Sequence, residues 1–353
     1  MKIINPSIEV MHTGLEKDFM TPEQFIEKVG RTCYKSEDKI TADSAVKFVG
    51  GLVKRGHEAM IEHWSLIFKT DRTTFEDIRA DWLMLMHYTD DTDVNEPDEK
   101  RLKPFIRFTT NETKSGMRYV VSGNMRAWCD YMHAWTRVKQ MDWIPYYLLD
   151  TVNSYPTFFP EYQEMLLPES EFVYENRYMS PITVNDLVGE FEHSVHHDVT
   201  VKFICDRGVS HEIVRHRTAS FAQESTRYCN YSGDKYGNEI TVVKPKFISD
   251  LNISLSDPAF IKNSDIFNSW RVGCECSERV YFSLLDAGST PQEARSVLPN
   301  SLKTEVIMTG NLDCWKHFFE LRCAPDAHPD IQVVAKMVRE EFQRCGLIGY
   351  AEG

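Results

Sequence analysis

The stretch from His211 to Tyr228 sets the strongest limits on how this chain can fold. It places three arginines and two histidines within eighteen residues of a 353-residue chain whose formal net charge is −13. Positive charge concentrated against an acidic background is either solvated on a surface helix, paired with acidic neighbours, or offered to an anion. Ile213, Val214 and Phe221 give the first half a helix-compatible apolar pattern. At ~100° per residue, Arg215 and Arg217 would leave such a helix on roughly opposite sides. The expectation is therefore a helix offering guanidinium groups to two ligands or to two sides of an interface. Arginine suits bidentate contact with a phosphate or a carbonyl edge. Ser225, Thr226 and Arg227 then add hydroxyl and backbone donors of the kind that hold a phosphate.

A hydrophobic content of 42% with 26% charged residues is that of a globular protein of one large or two ordinary domains. The acidic surplus argues against a nucleic-acid or membrane-surface protein, which would be basic. No run approaches the ~20 apolar residues of a membrane helix, and Met1 to Pro6 carries no long apolar core, so no signal peptide is read. Nine cysteines without a disulfide framework suggest reduced thiols and a cytoplasmic location. Cys274 and Cys276 form one close pair, but without a second pair at zinc spacing they read as packing.

Lys2 to Val10 reads as a strand interrupted by Pro6. Thr21-Pro22-Glu23-Gln24 is a helix start, with Thr as cap and Gln in position to close a capping box. A second helix runs from about Ala42 to Lys54 and ends at Gly56. The segment His57-Glu58-Ala59-Met60-Ile61-Glu62-His63 misses the His-Glu-x-x-His zinc motif, because Ile61 stands where the second histidine belongs; His211-Glu212 misses likewise at Arg215. No metal site is assigned. His193, His196 and His197 lie close together without a partner at regular spacing and stay unassigned.

Arg215-His216-Arg217, seven residues, then Ser225, with Ser220, Arg227 and Tyr228, resembles the signature of the flavin-dependent thymidylate synthases. The helix, Gly56, His57-Glu58, Glu62-His63 and the alternating strand Trp64 to Lys69 resemble the same family. So do Arg295-x-x-Leu298-Pro299, Asn311, His317 and Glu320-Leu321-Arg322 near the C-terminal end. The resemblance covers roughly residues 20 to 69 and 200 to 345. It implies an α+β fold with a central, mostly antiparallel sheet flanked by helices. Residues 1–353 would form a single catalytic domain, within which 70–196 is a mostly helical insertion atypical of the family. Within it, Phe75, Ile78, Trp82 and Leu85 mark one helix, and Trp128, Tyr131, Met132, Trp135 and Val138 another. The acidic run from Thr89 to Glu99 lacks the Gly and terminal Glu of an EF-hand loop and reads as a solvated loop.

The activity the resemblance implies is reductive methylation of dUMP to dTMP. Methylenetetrahydrofolate gives the carbon, NADPH is the reductant, and FAD is the cofactor, in a homotetramer with active sites between subunits. His57, Glu62, Arg215, His216, Arg217, Asn311 and His317 would hold the flavin. Glu212, Gln223, Glu224, Ser225, Thr226, Arg227, Arg295 and Arg322 would hold the nucleotide, with Ser225, Arg227 and Arg295 on its phosphate. Arg215, Ser225 and Arg322 are the candidate catalytic residues; Arg322 would withdraw charge from the uracil so that C5 becomes nucleophilic. Gln223 stands where some members carry glutamate, Glu212 where some carry glutamine, and Ala59 where the family often has a hydroxyl. Two other readings stay open. One is a non-catalytic flavin- or nucleotide-binding relative. The other is a metal hydrolase built on the His-Glu pairs, against which the ligand spacing counts.

Overall fold

The computed structural model describes residues 1–353 apart from 16–19, 88–105, 140–143, 165–177, 228, 234–235, 252, 255 and 350–353, and gives only the backbone of 85–87, 137–139 and 146. The acidic run 90–99 and Tyr228 lie outside the described residues. The strands in chain order are β1 Lys2–Ile4, β2 Ser7–His12, β3 Ser65–Thr70, β4 Ile106–Thr113, β5 Gly116–Asn124, β6 Met179–Ile182, β7 Asp198–Asp206, β8 Ser220–Gln223, β9 Thr241–Val243 and β10 Lys303–Asn311. The chain divides into two compact units: Met1–His12, Gly30–Asp38 and Val199–Gly353 make the first, and Thr13–Val29 with Lys39–Asp198 the second.

In the first unit the order β2-β7-β10-β8 forms a four-stranded sheet, and β1 pairs in parallel with β9. Asn5 and Pro6 fall between β1 and β2, at the point where the chain leaves one sheet for the other. A proline there costs no ladder hydrogen bond. Val199, Val201, Phe203 and Cys205 of β7 alternate into the core, as a half-buried strand requires. They pack against Trp315 and Phe318 of the helix Leu312–Arg322 and against Val334, Val338 and Phe342 of the helix Pro329–Arg344. The Trp315 indole donates to the Val199 carbonyl at 3.0 Å, so its one polar atom is satisfied inside the core. A second cluster packs the helix Phe260–Asp286, through Cys274 and Tyr281, against Ile240, Val242 and Leu302.

The second unit holds an antiparallel sheet in the order β4-β5-β3-β6. Its aromatic core includes Phe68, Trp82, Trp128 and Tyr131. The helices Arg72–His87 and Met125–Lys139 correspond to the two expected from the aromatic spacing. His196 is fully buried between the Thr109 and Ser122 hydroxyls at 2.8 and 2.7 Å; burial first, then Arg107 and Arg118, pulls its pKa down to about 3. His193 and His197 stack at 5.7 Å, and His197 Nε2 meets the Thr13 carbonyl.

The architecture is α+β, and every pairing of resolved register except β1–β9 is antiparallel. The strands are distributed over three sheets among the described residues rather than gathered in one central sheet. No helix among the described residues is long and apolar enough to cross a membrane.

Candidate functional site

The Arg-His-Arg segment is not helical. The helix that leads to it, Arg207–Ile213, starts on an Asp206 cap, whose Oδ1 accepts the Val209 N–H at 2.8 Å, and stops before Val214. Arg215 and His216 donate to Glu212 and Ile213 in tightened turns, and Ala219 donates back to the His216 carbonyl at 3.0 Å. The two-sided helix expected from the sequence is thus corrected to a compact turn. The reason lies downstream: Ser220 to Gln223 must pair antiparallel with Thr309 to Val306, so the chain has to reverse between Ile213 and Ser220. The turn leaves Arg215 and Arg217 exposed, flanking a His216 that is 5% exposed. Neither arginine makes an ion pair among the described residues.

Arg322, at the end of the helix Leu312–Arg322, ties this turn to the preceding helix. Its Nε donates to His216 Nε2 at 3.0 Å, Nη1 to the Glu212 carboxylate at 3.0 Å and Nη2 to the Glu212 carbonyl at 3.1 Å. A guanidinium can only donate, so His216 Nε2 carries the lone pair and the ring proton sits on Nδ1. Burial first, then the Arg322 charge and His317, lower the His216 pKa to about 4. Asn311 caps the Leu312–Arg322 helix by accepting the Cys314 N–H at 2.9 Å. The exposed ring of His317 lies 6.0 Å from that of His216, edge to face.

Beyond β8 the expected nucleotide residues form a second group. Gln223 Nε2 donates to the Ser210 and Thr304 hydroxyls at 3.0 and 3.3 Å. The Ser225 N–H donates to the Cys33 carbonyl at 3.2 Å. Arg295 Nη1 reaches the Thr226 hydroxyl at 3.2 Å, and Arg227 Nε reaches Gln292 at 3.1 Å. Arg295 follows the capping box of Thr290 and Glu293, which fixes the short helix before it.

Glu224 points the other way, into the protein. Its carboxylate, 3% exposed, accepts Lys303 Nζ at 3.0 Å and lies 3.9 Å from Lys35 Nζ. Both lysines also pair with Glu305. Burial opposes the charge on Lys303, but the two carboxylates outweigh it and raise its pKa; burial likewise opposes the charge on Glu305, and the two lysines outweigh it and lower its pKa. Lys35 reaches the cluster from the residue after the helix Pro22–Tyr34, with a left-handed backbone at φ 49° that a lysine adopts at a cost of order 1 kcal/mol. Sequence reading missed Lys35, Lys303 and Glu305. Only the Lys-x-Glu alternation on β10 hinted that the latter two share a face.

His57 and Glu62 belong to the second unit. His57 is exposed where the helix Ser44–Lys54 ends, and Gly56 supplies the left-handed turn at φ 66°. Glu62 is buried and accepts Arg126 Nη1 at 2.7 Å, in a cluster with Glu58 and Asp130. Of the predicted residues, then, the first unit gathers Glu212, His216, Arg322 and His317 in one contact group, with Arg215, Arg217 and Asn311 on the adjoining turns. It sets Gln223, Ser225, Thr226, Arg227 and Arg295 along the strand exit.

Residues 175–345 match the model of a family described as thymidylate synthase complementing protein. Among curated relatives, a flavin-dependent thymidylate synthase of Geobacter sulfurreducens is 36% identical over 129 residues, which is 36% of this chain and 49% of that protein. One of Pyrococcus horikoshii is 33% identical over 140 residues, 40% of this chain and 52% of that protein. The chain spans about half the length of these relatives. A solved UMP/dUMP methylase from Streptomyces cacaoi is 25% identical over 43% of this chain and 69% of that one, with a TM-score of 0.35. The matched span contains the Arg-His-Arg turn, Arg295 and Arg322, and over it the chain is similar to the flavin-dependent thymidylate synthases.

Proposed function

We propose that this protein is a flavin-dependent thymidylate synthase that converts dUMP to dTMP with methylenetetrahydrofolate and NADPH. The observation that carries the proposal is the Arg322–His216–Glu212 cluster set beside two exposed arginines on one turn. That turn suits FAD, an anionic dinucleotide. Arg215 and Arg217 offer guanidinium groups not committed to ion pairs among the described residues, and the Nδ1–H of His216 is a neutral donor between them. The chemistry a bound FAD would supply is the hydride that reduces the one-carbon unit transferred from the folate to the methyl group.

The chain's own part is to bind, orient and polarise. Ser225, Thr226, Arg227 and Arg295 supply hydroxyl and guanidinium donors for the nucleotide phosphate. Glu212 and Gln223 lie nearer the Arg-His-Arg turn and bound the base. Arg322 has N–H groups beyond the three bonds that hold it. Donated to a uracil carbonyl, they draw charge from the ring and favour C5 as nucleophile. Because those three bonds are already made, the guanidinium needs no reorganisation when substrate arrives. The reading extends to a homotetramer, tested by the mass of the protein in solution.

The test is the visible spectrum of the purified protein, then anaerobic NADPH with and without dUMP, then an assay for dTMP. Bleaching that the nucleotide modulates, followed by dTMP formation, is expected. A protein that takes up FAD and dUMP but forms no dTMP would be a non-catalytic relative. One that cannot be loaded with FAD ends the proposal.

A further inference from the structure

We infer that Lys303 is a positioning residue: with Lys35 it anchors the inward-facing Glu224, and this anchor, not a contact between Glu224 and the nucleotide, places the phosphate-binding segment Ser225 to Arg227. The inference rests on the synthase reading for the identity of the phosphate.

Three observations converge on it. First, both Glu224 oxygens are engaged inside the protein: Oε2 by Lys303 at 3.0 Å and by Lys35 at 3.9 Å, and Oε1 by the Cys229 thiol at 3.6 Å. At 3% exposure the carboxylate presents no face to a ligand. Second, the backbone on either side of this side chain is pinned to the segments that supply the lysines. The Glu224 N–H donates to the Glu305 carbonyl at 2.8 Å, two residues from Lys303, and the Ser225 N–H to the Cys33 carbonyl at 3.2 Å, two residues from Lys35. Third, the buried part of the cluster sets two lysines against Glu224 and Glu305, with side-chain exposures of 11, 18, 3 and 12%, while the more exposed Glu37 lies 3.7 Å from Lys35 at its rim. Removing one member of such a buried set leaves an uncompensated charge that moves toward water, and the chain attached to it moves too. Ser225, Thr226 and Arg227 follow Glu224 directly, so their hydroxyls and guanidinium inherit its position.

The sequence lends the cluster no motif. Lys35, Glu224 and Lys303 come from three separated parts of the chain, and Lys35 holds a left-handed backbone at φ 49°. A strained lysine held by Glu224, Glu305 and Glu37 fits a device whose purpose is placement.

The experiment compares wild type, Lys303→Met and Lys303→Arg as full-length FAD-loaded protein. Dissociation constants for dUMP are measured by calorimetry and for FAD by absorbance, beside melting temperatures. The expected result is a roughly tenfold weaker dUMP complex in Lys303→Met, FAD binding within about twofold of wild type, and recovery in Lys303→Arg. A purely structural role would weaken both ligands together. Should Lys303→Met not fold, Glu224→Gln, which keeps the shape and removes the charge, replaces it with the same expectation for dUMP. Unchanged dUMP affinity in the variant overturns the inference. A wild-type protein that does not bind dUMP overturns the synthase reading instead.

Discussion

The Arg322 guanidinium donates through Nε to His216 Nε2 at 3.0 Å, and this one bond fixes both the tautomer and the charge state of the histidine at the centre of the Arg-His-Arg turn. A cation on that ring would face the guanidinium with no lone pair to accept it.

His216 therefore makes stability depend on pH. Unfolded, it titrates near 6.5; folded, near 4. Between these values the unfolded chain takes a proton that the folded chain refuses. Its share of stability is complete above about 6.5 and is lost as the pH falls toward 4, by up to about 3 kcal/mol. Thermal melts across that window should fall more steeply for wild type than for His216→Asn; parallel curves would contradict the assignment.

Arg322→Ala removes three bonds at once and leaves the Glu212 carboxylate and the His216 lone pair without their donor. Steady-state dTMP formation should drop by about 10²-fold or more, with FAD still bound. Arg322→Lys should recover little, since an ammonium cannot span both partners in one plane. Wild-type turnover in the alanine variant would remove the role given to this residue.

Gly310 precedes the Asn311 cap, and a Cβ there would lie 3.0 Å from Cys314 Sγ and 3.2 Å from Cys314 Cβ. Gly310→Ala should cost about 1–3 kcal/mol through overpacking, seen in denaturant melts. Cys314→Ala in the same chain should restore part of it, because it removes the sulfur that the new methyl strikes.

Asp206 caps the helix that carries Glu212, yet burial, and then Asp330, raise its pKa. The folded chain holds this proton more tightly than the unfolded one, so stability is lost as pH rises from the unfolded pKa through the folded one. Asp206→Asn keeps the capping oxygen without the buried charge and should be neutral or stabilising at pH 7, whereas Asp206→Ala should cost about 1 kcal/mol. Chemical denaturation of the two variants separates the cap from the charge.

Local rules made much of the fold legible. The Thr21–Gln24 and Thr290–Glu293 boxes start the helices they were expected to start, because a cap is decided by residues within one turn. The strand break at Pro6 follows from a missing N–H. The turn from Val214 to Ala219 was not legible: its composition suits a helix, and it is overridden by the pairing of Ser220 with Thr309 on a strand ninety residues away. The Glu224 cluster was hidden for the same reason. Glu224 sits in a run that resembles a phosphate loop, and nothing local says that its side chain turns inward to Lys303 and Lys35. Family resemblance located the residues; only tertiary geometry tells a contact from an anchor.

The first unit is assembled from three pieces of chain separated by the whole of the second. Ser7 of β2 meets Ile204 of β7, and Lys2 of β1 meets Thr241 of β9. During synthesis the second unit can close on itself while β1 and β2 still wait for partners nearly two hundred residues downstream. Such high contact order slows folding and exposes strand edges for as long as synthesis takes. The Lys35–Glu224–Lys303 cluster joins the second and third of these pieces in one buried set of charges only after the last has been made, so the segment Ser225 to Arg227 is among the latest parts of the protein to acquire its shape.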